Sequence, residues 1–429
     1  MAGEWRDTTL GQVTAFLSGG TPSKDAPQYW CGSIPWVSAK DMKRFRLDDT
    51  EDHVSEDGVA NGTKLVPSGT VLLLARGMTL LNDLPICVVN RPMTFNQDVK
   101  ALRPKPGVRE EFLPYLLLGN KDRLLNLVDL AGHGTGRLNS DELKALDVVL
   151  PPLPEQRAIA HILGTLDDKI ELNRRKNETL EAMARVLFKS WFVDFDPVRA
   201  KAEGRDPGLP KPLAHLFPDS FEDSELGEIP AGWWIGVLGD VADHPRRGVQ
   251  PGEIDPTTPY IALEHMPRRC IALSEWTLAV GLESNKFRFK RGEILFGKLR
   301  SYFHKVGVAP VDGVCSTDIV VVTPRAEKWS GVVLGHVSSD AFVEYTNAGS
   351  TGTKMPRTNW TDMARYSIVL PPDSIAAAFT VLVRPSVDRI LDSIHESRTL
   401  AALRDAMLPK LISGELRVPD AERLIGREC

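Results

Sequence analysis

The sequence predicts an α+β chain in which two β-rich domains are joined by two long antiparallel helices forming a coiled coil. Three observations lead there. At 429 residues the chain exceeds one ordinary domain. Short motifs recur in the same order at a period of about 220 residues. Each copy is followed by a long stretch whose apolar positions keep a coiled-coil spacing.

The repeat comes first because it partitions the chain. Ile34-Pro-Trp-Val-Ser-Ala-Lys-Asp-Met42 matches Thr258-Pro-Tyr-Ile-Ala-Leu-Glu-His-Met266, and Leu10-Gly-Gln-Val13 matches Leu238-Gly-Asp-Val241. Pro67-Ser-Gly-Thr-Val-Leu72 matches Lys290-Arg-Gly-Glu-Ile-Leu295, a turn feeding a buried strand. Asn96-Gln-Asp-Val99 pairs with Ser316-Thr-Asp-Ile319, and Val149-Leu-Pro-Pro152 with Val369-Leu-Pro-Pro372. The β-rich domains are therefore expected over 1–150 and 233–370, the helices over 151–195 and 371–416, a linker over 196–232 and a tail over 417–429.

In the first helix Ile159, Leu163, Leu166, Ile170, Leu180, Ala184, Leu187 and Trp191 follow the alternating spacing of a coiled-coil seam. Asn173 and Asn177 occupy its middle, where polar residues cost stability and fix register. The second helix carries Val383, Val387, Ile390, Ile394, Leu400, Leu403, Met407 and Leu411, with Ser393 and Ser397 near its centre. Antiparallel packing would let the two polar centres meet. Pro385 is expected to kink this helix or delay its regular start. Residues 196–212, rich in Pro, Gly and charge, read as an exposed linker.

Composition narrows the function. Apolar residues make up 42% and charged residues 25%, both globular values. No run approaches the ~20 apolar residues of a membrane span, and the first residues lack the apolar core of a secretory signal, so a cytoplasmic location is expected. The net charge of −5 excludes a protein that coats nucleic acid, yet leaves room for a local basic face. Cys31, Cys87, Cys270, Cys315 and Cys429 are scattered without a C-x-x-C pair, and read as reduced thiols, mostly buried.

Catalytic motifs are weak. Gly292-Glu-Ile-Leu-Phe-Gly-Lys298 has phosphate-loop spacing, but Leu299 stands where magnesium needs a hydroxyl. Gly132-His-Gly-Thr-Gly136 has no strand-loop-helix unit around it, and the histidines form no metal-ligand spacing. No catalytic or metal-ligating residue is assigned, and the chain reads as a binder.

The positive signal is a basic cluster over 286–305, with Lys286, Arg288, Lys290, Arg291, Lys298, Arg300 and Lys305 set against Glu293. Ser301, Tyr302 and His304 are interleaved, so the segment can anchor phosphates and reach base edges. Alternation of Phe287 and Phe289 with the basic residues places the rings inward and the cations outward. A weaker counterpart in the first half comprises Arg76, Arg91, Lys100, Arg103, Lys105 and Arg109. Loops holding His133, Thr135, Arg137 and Asn139, and then Thr353, Lys354, Arg357, Thr358 and Asn359, are polar enough to touch DNA.

Several stretches resemble the specificity subunits of type I restriction-modification enzymes. They are Pro151-Pro-Leu-Pro-Glu-Gln-Arg-Ala-Ile-Ala160, Leu166-Asp-Asp-Lys-Ile170, Phe188-Lys-Ser-Trp-Phe-Val-Asp-Phe-Asp196 and Leu408-Pro-Lys-Leu-Ile-Ser-Gly-Glu-Leu416, together with the duplicated layout. The resemblance implies two target recognition domains, each reading half of a bipartite, asymmetric site on double-stranded DNA, with the helices setting the gap. It implies docking of two modification (methyltransferase) subunits through the helices, on residues such as Ile159, Leu163, Leu166, Ile170, Asn173, Asn177, Leu180, Leu187, Ile390, Ile394, Leu400 and Met407. S-adenosylmethionine, ATP and magnesium are then expected in those subunits and in a restriction (translocase/endonuclease) subunit, with no cofactor on this chain. The second helix departs from the pattern: Pro372-Asp-Ser-Ile-Ala-Ala lacks the Pro-Glu-Gln start. Two other readings stay open: a protein-binding scaffold without DNA specificity, and the specificity subunit of a fused methylase-nuclease system.

Overall fold

A computed structural model describes residues 4–131, 134–350, 355–421 and 423. The chain forms two compact units, Met1–Asp168 with Leu400–Cys429, and Lys169–Thr399. The long helices Leu153–Phe192 and Asp373–Ser413 each contribute to both.

In the first unit, Gly69 takes a left-handed φ of +84°, which glycine adopts without a Cβ penalty, and turns the chain into Val71–Leu74. Every residue of that strand is buried, as its unbroken apolar run requires at the centre of a sheet. It lies between Val99–Pro104 and Ile86–Val89, with Leu72 opposite Ala101 and Cys87, and Thr14–Ser18 and Arg46–Leu47 form the edges. A second sheet pairs Ile34–Val37 antiparallel with Asp52–Val54 and parallel with Thr94–Phe95. Arg6–Thr9 pairs with Asp147–Leu150, the strand that leads to the first long helix.

The second unit repeats this plan. Gly292, with φ +87°, feeds Ile294–Gly297, which sits between Ile319–Pro324 and Val306–Val308 with Leu295 opposite Val321 and Gly307. Pro259–Ile261 runs parallel to Gly313–Ser316, and Trp234–Val237 pairs with Ser367–Leu370. Even the one-turn helices Leu10–Val13 and Leu238–Val241 correspond.

The two long helices pack together in each unit. In the first, the buried Asp167 accepts from the Tyr115 hydroxyl at 2.8 Å and from Arg404 at 2.6 Å, so one carboxylate joins the domain to both helices. Its neighbour Asp168 pairs with Arg46. Glu155 accepts from the Trp5 indole and pairs with Arg417, which ties the beginning of the chain to its C-terminal segment. In the second unit, Phe188, Trp191 and Phe192 surround Phe379 at ring distances of 6.2, 5.4 and 4.8 Å. Asn173 donates to Glu396 at 2.8 Å and to Ser397 at 3.3 Å. Later residues of one helix thus meet earlier residues of the other, an antiparallel pair.

Ile159, Leu163, Leu166, Leu400 and Met407 are buried in the first unit, and Ile390 and Ile394 in the second, where Ile170, Leu180 and Leu187 are half-buried. The polar centre is only partly paired: Asn177 Oδ1 and Ser393 Oγ are buried without hydrogen-bond partners.

Two expectations need correction. Residues 196–232 are not a bare linker: they form helices Asp196–Ala202 and Lys211–Ala214 and the hairpin Phe221–Ser224 with Gly227–Pro230. Val198, Phe217 and Ile229 are buried there, because Trp191, Phe195 and Trp233 offer an aromatic surface that the Pro and Gly content concealed. Pro385 does not delay the start of its helix, which is helical throughout Asp373–Ser413. The proline is exposed, so the carbonyl it leaves unpaired lies toward solvent. Among the described residues, no helix is long and apolar enough to cross a membrane, and no group of His, Cys, Asp or Glu could hold a metal ion. Cys87 and Cys315 are buried, whereas Cys31 is exposed.

Removing one partner of a buried ion pair strands the other charge. Arg404→Met is expected to lower unfolding free energy by about 3 kcal/mol, and adding Asp167→Asn should recover most of it; denaturant unfolding of both variants checks this. His336 is buried against Phe188, and burial pushes its imidazole pKa down to about 3. The unfolded chain takes up that proton near pH 6.5, so stability should fall as pH drops from 6.5 toward 3 and be unaffected above it. This amounts to about 2 kcal/mol between pH 7 and 5. Denaturation at both pH values should show that loss shrinking in His336→Leu.

Candidate nucleic-acid interface

Beyond its buried central strand, each unit builds a short exposed ladder. In the first unit, Arg76–Gly77 pairs with Thr135–Leu138, which pairs in turn with Val128–Ala131. Register sets Arg137 between Arg76 and Asp129, with both arginines exposed. The ladder is fixed to the sheet because the Asp98 carbonyl accepts from the amides of Ala75 and Arg76, while Asn96 Oδ1 accepts from the Asp98 amide. Leu138 N–H completes it on the Ala75 carbonyl.

The second unit uses the same hydrogen bonds. The Asp318 carbonyl accepts from Lys298 N–H, Ser316 Oγ accepts from Asp318 N–H, and Thr358 N–H donates to the Lys298 carbonyl. Leu299 bridges Arg357, the position that Arg76 and Arg137 hold in the first unit. Arg357 is exposed and 3.4 Å from Asp318, and Lys298 and Arg300 flank the bridge, half-buried.

Both ladders lie among other cations. Burial lowers the Lys100 ammonium pKa, and the charges of Lys144 and Arg137 lower it further, so three positive groups share one neighbourhood. In the second unit burial lowers the His244 pKa, with Arg246 and Lys298 adding to the effect. Arg246, Arg269, Arg300 and His304 adopt left-handed backbone, a conformation that costs a side-chain-bearing residue roughly 1–2 kcal/mol and persists where the surroundings enforce it.

The sequence-predicted residues divide accordingly. Arg76, Thr135 and Arg137 come together, as do Lys298, Arg300 and Arg357. Arg103 lies roughly 13 Å along its strand from Val99, and Lys105 donates to the Gly11 carbonyl, so neither joins the Arg76 ladder. Ser301 and His304 do not face outward: they are 2% and 7% exposed, and His304 Nε2 contacts the Ser338 carbonyl, because their turn packs inward. Lys305 is half-buried, its ammonium on the Leu263 carbonyl. The expected alternation holds at Arg288, Lys290 and Arg291, which are exposed, and at Phe289, which is buried, but it breaks at Lys286, which is buried on Ser284. Glu293 is engaged by Arg247 through two hydrogen bonds of 2.8 and 2.6 Å. Tyr302 is exposed; His133 and Lys354 lie outside the described residues. Lys144 and Arg246 were not singled out in the sequence. His244-Pro-Arg-Arg-Gly248 was a basic run that could have flagged the latter.

Each unit also has a cleft between its domain and its long helix. That of the first holds about 1050 Å³ and is lined by Gly69, Arg46, Arg109, Arg157, His161 and Asp168. The counterpart, about 390 Å³, is bordered by Gly292 and Asp388 but is more apolar, with Ile294, Leu334, Val383 and Leu391.

The family model described as the type I restriction modification DNA specificity domain matches residues 2–182. A Methanocaldococcus jannaschii protein, the type I restriction enzyme MjaIX specificity subunit, is 27% identical across 97% of this chain and 94% of its own length. Along nearly its whole length the chain is similar to the type I restriction-modification specificity subunits. Further members similar to it are the HindI specificity subunit of Haemophilus influenzae, 23% identical over 96% of this chain and all of that one, and the EcoR124I/EcoR124II specificity subunit of Escherichia coli. The latter is 32% identical over 38% of this chain and 41% of its own. The fold matches the crystal structure of a type I system S subunit from M. genitalium, with a TM-score of 0.53 at 14% identity over 95% of this chain and 96% of that one. Each of these relatives is named as a specificity subunit, and none as a modification or restriction subunit.

Proposed function

We propose that this chain is a specificity subunit and reads a bipartite, asymmetric site on double-stranded DNA, one half-site per unit. Arg76 and Arg137 serve one half-site, and Lys298, Arg300 and Arg357 the other. The observation that carries this reading is the duplicated anchor: corresponding backbone hydrogen bonds, Ala75 N–H to the Asp98 carbonyl and Leu138 N–H to the Ala75 carbonyl in one unit, Lys298 N–H to the Asp318 carbonyl and Thr358 N–H to the Lys298 carbonyl in the other, present cations whose identity differs between them. A conserved frame with divergent side chains is what two readers of unlike sequences require, since phosphate contacts fix position and side chains on base edges specify.

In the same proposal the clefts beside the long helices receive two modification subunits, the first through charge and the second through apolar contact. S-adenosylmethionine and the adenine-methylating chemistry reside in those partners, and ATP and magnesium serve a restriction subunit, all in the cytoplasm. The length of the paired helices sets the spacing of the half-sites.

Selection of bound duplexes from a random pool by the reconstituted complex tests the reading. A two-part motif is expected, and Arg357→Ala should relax one part while cutting its affinity by about 10-fold or more; recovery of no motif would make the chain a protein scaffold. Adding one heptad to each long helix lengthens the pair by about 10 Å. The gap between half-sites is then expected to widen by about three base pairs, and an unchanged gap would remove the helices as the spacer.

A further inference from the structure

Directly after its ladder residues, Arg76–Gly77 in the first unit and Lys298–Arg300 in the second, each unit makes a tight turn of 3-10 helix, Met78–Leu81 and Ser301–Phe303 respectively. The two occupy the same place in the repeat, and both hold a large side chain out of the fold: Met78 is 71% exposed and Tyr302 49%. Neither exposure follows from a loose loop. Leu80, 2% exposed, anchors the first turn against Gly136, where an added Cβ would lie 2.8 Å from Leu80 Cβ. The second turn is clamped between the Arg300 amide on the Pro356 carbonyl and the His304 carbonyl accepting from Arg269, with left-handed backbone at Arg300 and His304. Tyr302 packs edge-on to Phe303 at 4.7 Å, and the Phe303 face is covered by the Arg268 guanidinium at 4.1 Å. The tyrosine thus ends a preformed edge-on aromatic and cation cluster and remains half exposed, two residues after Arg300.

We propose that Tyr302, and Met78 in the first unit, are base-contacting residues that enter between stacked base pairs, and that sequence preference at that step depends on them more than on the arginines. The inference rests on the DNA reading above. A rigidly presented apolar side chain flanked by cations suits a polyanion with apolar base faces between its charged edges: the cations hold phosphates, and the apolar tip unstacks a deformable step. Ser301 and His304 are then positioning residues that aim the turn.

The test uses the full-length chain in its reconstituted complex, with the duplex recovered by selection and a fluorescent 2-aminopurine placed through it position by position. Tyr302→Ala should weaken binding to that duplex by about 10- to 100-fold. It should also abolish base preference and the fluorescence rise at one step of one half-site. Affinity for unrelated duplex and the salt slope should stay as in the wild type, and Tyr302→Phe should retain binding. Met78→Ala should act in the same way on the other half-site. Equal weakening on every duplex, or lost subunit assembly, would overturn the inference by making the turn a phosphate or protein contact. A wild-type motif left intact by Tyr302→Ala overturns this inference alone, whereas a wild type without any motif overturns the DNA reading as well.

Discussion

A carboxylate removed from water must be met by donors, and in the first unit Asp167 meets two of them from different parts of the chain. The Tyr115 hydroxyl comes from the β-rich domain and the Arg404 guanidinium from the second long helix, while Asp167 itself is on the first. Burial and the proximity of that carboxylate hold the Tyr115 phenol well above its usual pKa, so it remains a donor. With these bonds made, the domain cannot turn on its helix without leaving a buried charge unpaired, and the ladder that carries Arg76 and Arg137 has a fixed base.

The second unit solves the same mechanical problem with apolar chemistry. Phe188 lies over Gly335, where any Cβ would come within 2.0 Å of the ring, and His336 stands edge-on to the same phenylalanine. Tyr115 and Gly335 hold comparable places in the repeat, as do Asp167 and Val387. At these matched positions one unit uses directional hydrogen bonds and the other close packing. The clefts inherit this difference, charged in one case and mainly apolar in the other. Duplication preserved backbone geometry, and the side chains diverged around it.

Legibility followed the range of the interaction. The repeat, the seam of Ile159, Leu163 and Leu166, and the family stretches were readable because each is a local pattern of side chains. The meeting of Asn173 with Ser397 was anticipated from matched positions in the two helices, and it forms. The buried state of Lys286, Ser301 and His304 was not readable, since it depends on what folds over them. Nor did the Pro and Gly content of 196–232 reveal its helices and hairpin, whose driving force is the buried aromatic surface that Trp191 and Trp233 form from its two ends.

By itself, then, the sequence determined the two-fold repeat, the long helices with their polar centres and the kinship with specificity subunits, because periodicity and short motifs are written in consecutive residues. Only the tertiary structure decided which cations share a surface. Arg76 and Arg137 are distant in sequence and become neighbours through one antiparallel ladder, while Met78, flanked by no sequence signal, is held exposed by the burial of Leu80 beneath it. Exposure and adjacency are products of long-range packing, and no local pattern encodes them.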